Sequence, residues 1–339
     1  MDIKTIAKMA NVSPATVSRV LNGKNVSPEI SERVQKVIES SGYVPNYMGR
    51  SLRIQRSNTL LLLLPTIQNS FYSEIVNAFE IQARADGFRT LFGITNRNPE
   101  VEKQYLDLLF TKQVEGLASF IPTITAREIN HISANYPFVA LCWRGGGEIK
   151  ANYVCIDNAR ACYEITQYLL SLGHKKIAIL NGAYKERLYE QERQSGFGAA
   201  MQEAGIEVPP EYAVICDYGH QDGYKACGQL MSLPDPPTAI ITLSDARAVG
   251  VVRWLKEHKL RPGRDVDVVG FDNVDISQMV EPEITTIAQP RKELGSEGAK
   301  LLISQIRDRE QSARGIILQH KMIIRETTRR RDTGKGKAK

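Results

Sequence analysis

The chain has 339 residues, 42% of them hydrophobic and 24% charged, with a formal net charge of +6. That length exceeds what one hydrophobic core organises, and that balance excludes a disordered or fibrous chain. The excess positive charge sits at the ends, nine Lys/Arg against four Asp/Glu in residues 1–56 and seven against two in residues 325–339, so the long middle is net acidic.

Thr5 to Gly23, TIAKMANVSPATVSRVLNG, predicts two short helices joined by a tight turn. Ala7 is small where a second helix would cross, Asn11 tolerates the positive φ of the turn, and Val17 locks the pair. Ile6, Ala10, Val12 and Val20 supply further buried contacts at helical spacing. Ser13 caps the second helix and Pro14 begins it, where the missing amide hydrogen costs nothing. The outer face, Pro14, Ala15, Thr16, Ser18, Arg19 and Asn22, is small or polar with a single long cation. Such a face fits a major groove, where Arg pairs bidentately with guanine and Thr meets a thymine methyl or a phosphate. Thr5 and Ser13 belong to the same DNA-facing set. The plainer alternative is a surface helical hairpin.

Ser27-Pro28 opens a third helix that Gly42 ends. Asn46 then caps a short segment, YMGRSLRI, below the ~12–15 residues an isolated helix needs and weakened by Gly49. It should be coil until held. Arg50 and Arg53 flank Leu52, a pattern that suits phosphate contacts around a leucine wedged into a minor-groove step; a linker whose leucine packs on the next domain is the alternative.

From Thr59 onward, apolar runs at 59–65, 116–122, 138–143, 176–182, 238–244 and 267–273 predict parallel strands buried on both faces. Amphipathic helices are expected near 72–86, 100–112, 158–172, 190–205, 222–232, 245–258 and 290–309, which predicts doubly wound sheets in two similar subdomains. ITTIAQP and GIILQHKMIIRE, near the end, look like chain crossing between them. RETTRRRDTGKGKAK predicts a solvated tail.

Ligands of open α/β sheets bind beyond the carboxyl ends of the strands. Those ends hold Phe71 and Tyr72, Trp143 and Arg144, the loop to Arg193, Tyr218, Asp245 and Asp272, a set suited to a small polar effector in a cleft. No hydrolase elbow, Walker loop or zinc-protease motif is present, so no catalytic residue is assigned. Five scattered cysteines and five histidines without ligand spacing predict no metal and a reducing, cytoplasmic setting. No apolar run approaches the ~18 residues of a membrane span.

IKTIAKMANVSPATVSRVLNG, GYVPNYMGRSLR, the paired Arg187 and Arg193 ahead of Gly196-Phe197, and VGFDNVDISQMVEPEITTIAQP together resemble the lactose-repressor/galactose-repressor (LacI/GalR) family of bacterial transcription regulators over residues 2–327. The resemblance implies an all-α helix-turn-helix headpiece (1–45), a hinge helix that folds on DNA (46–57), and an α/β core like type I periplasmic binding proteins. The core divides into an N-terminal subdomain (58–156 and 290–316) and a C-terminal one (157–289 and 317–327), followed by a basic tail (328–339). By resemblance Pro14, Ala15 and Arg19 read bases, Asn46 touches phosphate and Leu52 intercalates. Phe71, Tyr72, Trp143, Arg187, Arg193, Tyr218 and Asp272 line the effector cleft. Three departures stand out: Gly49 replaces the usual hinge Ala, Ser244 a frequent Asn, and Cys142 a common Asp. The implied function is a homodimeric repressor of carbohydrate use, binding a near-palindromic operator and answering to a sugar, sugar phosphate or related metabolite, with no cofactor and no membrane. The alternatives are a catabolite-control regulator whose corepressor is a phosphocarrier protein, and a solute-binding protein with a basic arm.

Overall fold

The computed structural model describes residues 1–21, 25–43, 57–120, 122–144, 149–182, 188–308 and 314–329. It divides into two units, Met1–Ser57 and Asn58–Lys339.

Helices α1 (Ile3–Met9), α2 (Pro14–Leu21) and α3 (Pro28–Ser41) form the first. Asp2 caps α1, its carboxylate accepting the Thr5 amide at 2.9 Å and the Thr5 hydroxyl at 2.8 Å. Asn11 takes a φ of 52°, and the turn closes when the Val12 amide donates to the Ala7 carbonyl at 2.9 Å. Ser13 Oγ accepts the Thr16 amide at 3.1 Å, satisfying a donor that α2 cannot. Gly42 ends α3 at φ 61°, where a side chain would be strained. Ile6, Ala7, Ala10, Val17 and Val34 are buried together, with Val12, Val20 and Ile30 against them. A core that small gives marginal stability.

The second unit begins β1 (Thr59–Leu64), α4 (Phe71–Ala85), β2 (Arg89–Ile94), α5 (Pro99–Phe110), β3 (Gly116–Ser119), α6 (Ala126–Asn135), β4 (Phe138–Leu141) and β5 (Asn152–Ile156). It continues α7 (Asn158–Ser171), β6 (Ile177–Gly182), α8 (Leu188–Glu203), β7 (Ala213–Cys216), α9 (His220–Met231), β8 (Ala239–Ile241), α10 (Asp245–Glu257), β9 (Asp267–Val269), α11 (Ile276–Met279) and β10 (Thr286–Ala288). Helix α12 (Arg291–Arg307) and strands β11 (Gly315–Leu318) and β12 (Lys321–Ile323) complete it.

Two sheets result. One is wholly parallel in the order β11-β5-β4-β3-β1-β2; the other, also parallel, runs β7-β6-β8-β9. In β1, Leu60, Leu62 and Leu64 join Ile75 and Phe79 of α4 and Leu294 and Leu302 of α12. Leu61 and Leu63 face the other way, onto Leu106 and Leu109 of α5 and Ile129 and Ile132 of α6. Burial on both faces is why the strand reads as an unbroken apolar run, each leucine contributing about 2 kcal/mol. Strand β6 repeats the device, with Ile177 and Ile179 on Ile165 and Phe197, and Ala178 and Leu180 on Leu230 and Val251.

Three crossings join the two lobes: after β5, before α12, and between β11 and β12. The last differs from expectation. Ile317 and Leu318, assigned by resemblance to the C-terminal subdomain, pair with Cys155 and Ile156 in the first sheet, because the parallel ladder of β11 on β5 runs on for four residues. The tail also begins later than 328, since Thr328 is buried and hydrogen-bonds Tyr168 and Thr285. Several strands stop short of their apolar runs, at Leu141, Ile241 and Val269, because the chain turns through left-handed residues just beyond, Cys142 (φ 65°), Leu243 (51°) and Asp272 (103°). Strands β2, β5 and β7 and helices α6 and α11 are additions to the predicted set. Among the described residues no helix is long and apolar enough to cross a membrane.

Candidate DNA-reading helix and effector cleft

On α2, Val17 points inward while Pro14, Ala15 and Arg19 are exposed and Thr16 and Ser18 are half-buried. The helix therefore presents a shallow face carrying one long cation. The hydroxyls of Ser13 and Thr16 lie 2.9 Å apart and fix each other, and the Thr5 hydroxyl is held by Asp2. Those residues hold the backbone of the helical pair as well as facing outward. Asn22, Asn46, Arg50, Leu52 and Arg53 lie outside the described residues.

A cavity opens between the two lobes of the second unit. The first lobe lines it with Asn69, Phe71, Tyr72, Phe120 and Cys142, and the second with Arg193, Tyr218, Leu243 and Asp272, while Gln289 comes from the crossing before α12. Phe71, Tyr72 and Phe120 pack edge to face, with centroids 5.4 and 4.8 Å apart. Arg193 of α8 is buried with its guanidinium 3.6 Å from the Phe271 ring centroid. Its Nε donates to Asn158 Oδ1 at 2.9 Å and its Nη1 to the Leu243 carbonyl at 3.1 Å.

Opposite charge comes from Asp272, whose Oδ1 accepts Gln289 Nε2 at 2.7 Å. Burial pushes its carboxyl up to about 6, against the pull of Arg193. Cys142, Leu243 and Asp272 all line the cavity in left-handed conformations. Strain of that kind costs about 1–3 kcal/mol per residue and persists where the surrounding structure enforces it, commonly at ligand sites. Across the cleft mouth, Arg144 Nε of the first lobe meets Glu192 Oε1 of the second at 2.5 Å.

Residues 2–46 match the family described as bacterial regulatory proteins, lacI family, and residues 166–328 match a periplasmic binding protein-like domain. The chain is 35% identical over 331 residues to the HTH-type transcriptional repressor CytR of Escherichia coli (strain K12), covering 96% of each. It belongs to the lacI family of bacterial regulatory proteins. A lacI-family regulator from Enterococcus faecium, solved with bound ribose, is 27% identical with a TM-score of 0.70, covering 80% of this chain and 99% of that one. The lac repressor dimer bound to operator and the anti-inducer ONPF shares the fold, with a TM-score of 0.86, 24% identity, and coverage of 97% and 99%.

Within this lacI-family core, Phe71, Tyr72, Arg193, Tyr218 and Asp272 meet at one cavity, though sequence scatters them over 200 positions. Two expected members do not reach it. The indole of Trp143 is buried among Leu117, Phe138 and Ile132, and its N–H donates to the Ser119 carbonyl at 3.0 Å, so the ring braces β3 against β4. Asp245 sits behind the wall, accepting the Val274 amide at 2.7 Å and the Thr286 hydroxyl at 2.6 Å. Burial and then the charge of Asp272 push it up to about 8. Arg187 lies outside the described residues. Asn69 falls in the stretch after the first strand where ligand contacts are expected, whereas Phe120, Leu243 and Gln289 are lining residues that sequence reasoning missed; Phe120 and Leu243 sit near the carboxyl ends of predicted strand runs, and Gln289 lies in the crossing segment.

Proposed function

We propose that this lacI-family chain is a repressor that binds a near-palindromic operator as a homodimer and takes a small polyhydroxylated ring, a sugar or sugar-bearing metabolite, between its lobes. The observation that carries this is the cavity: aromatic rings for the C–H face of such a ligand, beside the guanidinium of Arg193 and the carboxyl of Asp272 for its hydroxyls. The repressor name of the relative at 35% identity and the ribose held by the regulator at 27% support the reading. In this reading Thr5, Ser13, Pro14, Ala15, Thr16, Ser18 and Arg19 contact operator, and Asn22, Asn46, Arg50, Leu52 and Arg53 extend the contact. Lobe closure alters the spacing of two paired hinge segments. A coupling of about 1–3 kcal/mol changes operator occupancy roughly 5- to 150-fold, enough for a switch.

The test is anisotropy on DNA from upstream of the chain's own gene, with D-ribose as the first titrant. Arg19→Ala should weaken operator binding about 5- to 150-fold, the worth of one base-reading arginine, and leave ribose affinity unchanged. Arg193→Ala should leave operator affinity near wild type and abolish the ribose response. A footprint with no protected site would reduce the chain to a solute-binding protein with a basic arm, and a retained response in Arg193→Ala would remove that residue from the site.

A further inference from the structure

Tyr218, just beyond β7, lines the cleft, and two guanidinium groups stand over its ring. Arg247 Cζ is 4.3 Å from the centroid and Arg97 Cζ is 5.2 Å from it, both within cation–π reach. Arg247 belongs to the same lobe as Tyr218. It is fully buried and donates to the carbonyls of Leu180, Cys216, Asp217 and Thr242, at 2.8 to 3.3 Å. One cation thereby ties together the carboxyl ends of β6, β7 and β8 and fixes the ring from its own side.

Arg97 comes from the other lobe, in the turn between β2 and α5. Asn96 and Arg97 take successive left-handed φ values of 48° and 58°, a conformation that asparagine tolerates but arginine avoids. The turn is held by buried Thr95, whose hydroxyl accepts the Arg97 amide at 3.2 Å and whose carbonyl accepts the Asn98 amide at 2.9 Å. Asn98 then caps α5, accepting the Glu100 amide at 2.9 Å. Glycine would suit that backbone better than arginine. What arginine adds is a cation reaching across the cleft to a ring that the opposite lobe has immobilised.

We propose that Arg97, Tyr218 and Arg247 form a cross-cleft latch in which Arg97 of one lobe seats on the ring that Arg247 of the other holds, and that Arg97 sets how firmly the lobes close on the effector. The link to effector affinity rests on the reading of the cleft as the effector site; the latch itself does not. Arg144 and Glu192 bridge the lobes separately, so closure without Arg97 is weakened rather than abolished.

The test uses the full chain and the variants Arg97→Gly, Arg97→Met and Arg97→Lys, with amide hydrogen exchange measured on ligand-free protein. Arg97→Gly relieves the left-handed strain and should keep or raise the thermal midpoint. Even so, amides of residues 95–98 and 216–219 should exchange about 2- to 30-fold faster, the range that corresponds to one lost cation–π contact. Arg97→Met should behave likewise, and Arg97→Lys should recover part of the protection. Unchanged exchange at 216–219 in Arg97→Gly would overturn the latch, and so would equal exchange in the lysine and methionine variants. Calorimetry with D-ribose forms the second arm: where wild type binds, Arg97→Gly should weaken affinity by the same factor. If wild type does not bind D-ribose, ribose is excluded as the effector while the exchange arm still decides the latch.

Discussion

Replacing Arg247 with methionine keeps the length and most of the apolar stem but removes the cation. The four carbonyls that Arg247 serves would each lose a donor. Hydrogen bonds from a charged donor contribute about 1.5–3 kcal/mol each, roughly 6–12 kcal/mol for the four. Against this, methionine no longer carries the desolvation cost of a buried ion, several kcal/mol. The expected net effect is a loss of about 3 kcal/mol, or a midpoint lowered by roughly 5 °C in a unit of this size. Both tryptophans, Trp143 and Trp254, lie in the second unit, so intrinsic fluorescence follows its melting without the headpiece. A loss below about 1 kcal/mol, or any gain, would refute the argument, because the strand ends would then not depend on the clamp.

The carboxyls of Asp272 and Asp245 stand at about 6 and about 8, both raised from 3.8 by burial. The folded protein therefore keeps protons that the unfolded chain releases, and this pair's contribution to stability should fall as pH rises from about 4 to about 8. Fluorescence melts of wild type and Asp245→Asn isolate it: the variant should lose the downward slope of the upper part of that window, and parallel slopes would refute it. In the headpiece, Ser13→Ala removes the cap on α2 at a cost of about 1 kcal/mol. Amides of Thr16 and Val17 should then exchange about 5-fold faster, and unchanged protection would show that the cap is dispensable.

The headpiece was legible because its determinants are short-range. Asn11 in the turn, Ser13-Pro14 at the start of α2 and Gly42 at the end of α3 each carry a local conformational requirement that the residue type announces. In the core, runs such as TLLLLL marked strands buried on both faces, whereas β2 and β7 are edge strands whose exposed Leu91, Phe92 and Ile215 blur the pattern. Helix α6 carries a local start signal of its own, the capping box of Thr125 and Glu128. The cleft was legible only as a set of strand ends. Sequence does not say which way a residue beyond a strand turns, so Trp143 reads as a cleft residue and is instead a brace inside the first lobe. Nor do Cys142 and Leu243 advertise positive φ, since neither residue type favours it; the surrounding structure imposes it.

The first lobe draws on both ends of its coding region. Leu294, Leu301 and Leu302 of α12 share a cluster with Leu60 and Leu62 of β1, and β11 supplies an edge of the same sheet. As the chain leaves the ribosome, Met1–Ser57 emerges with its three helices complete and the strands of the other lobe follow, but the lobe begun at Thr59 waits for Leu318. A message truncated near codon 285 would thus release a nascent chain whose earliest strands, with their leucines uncovered, are the part exposed to chaperones and proteases.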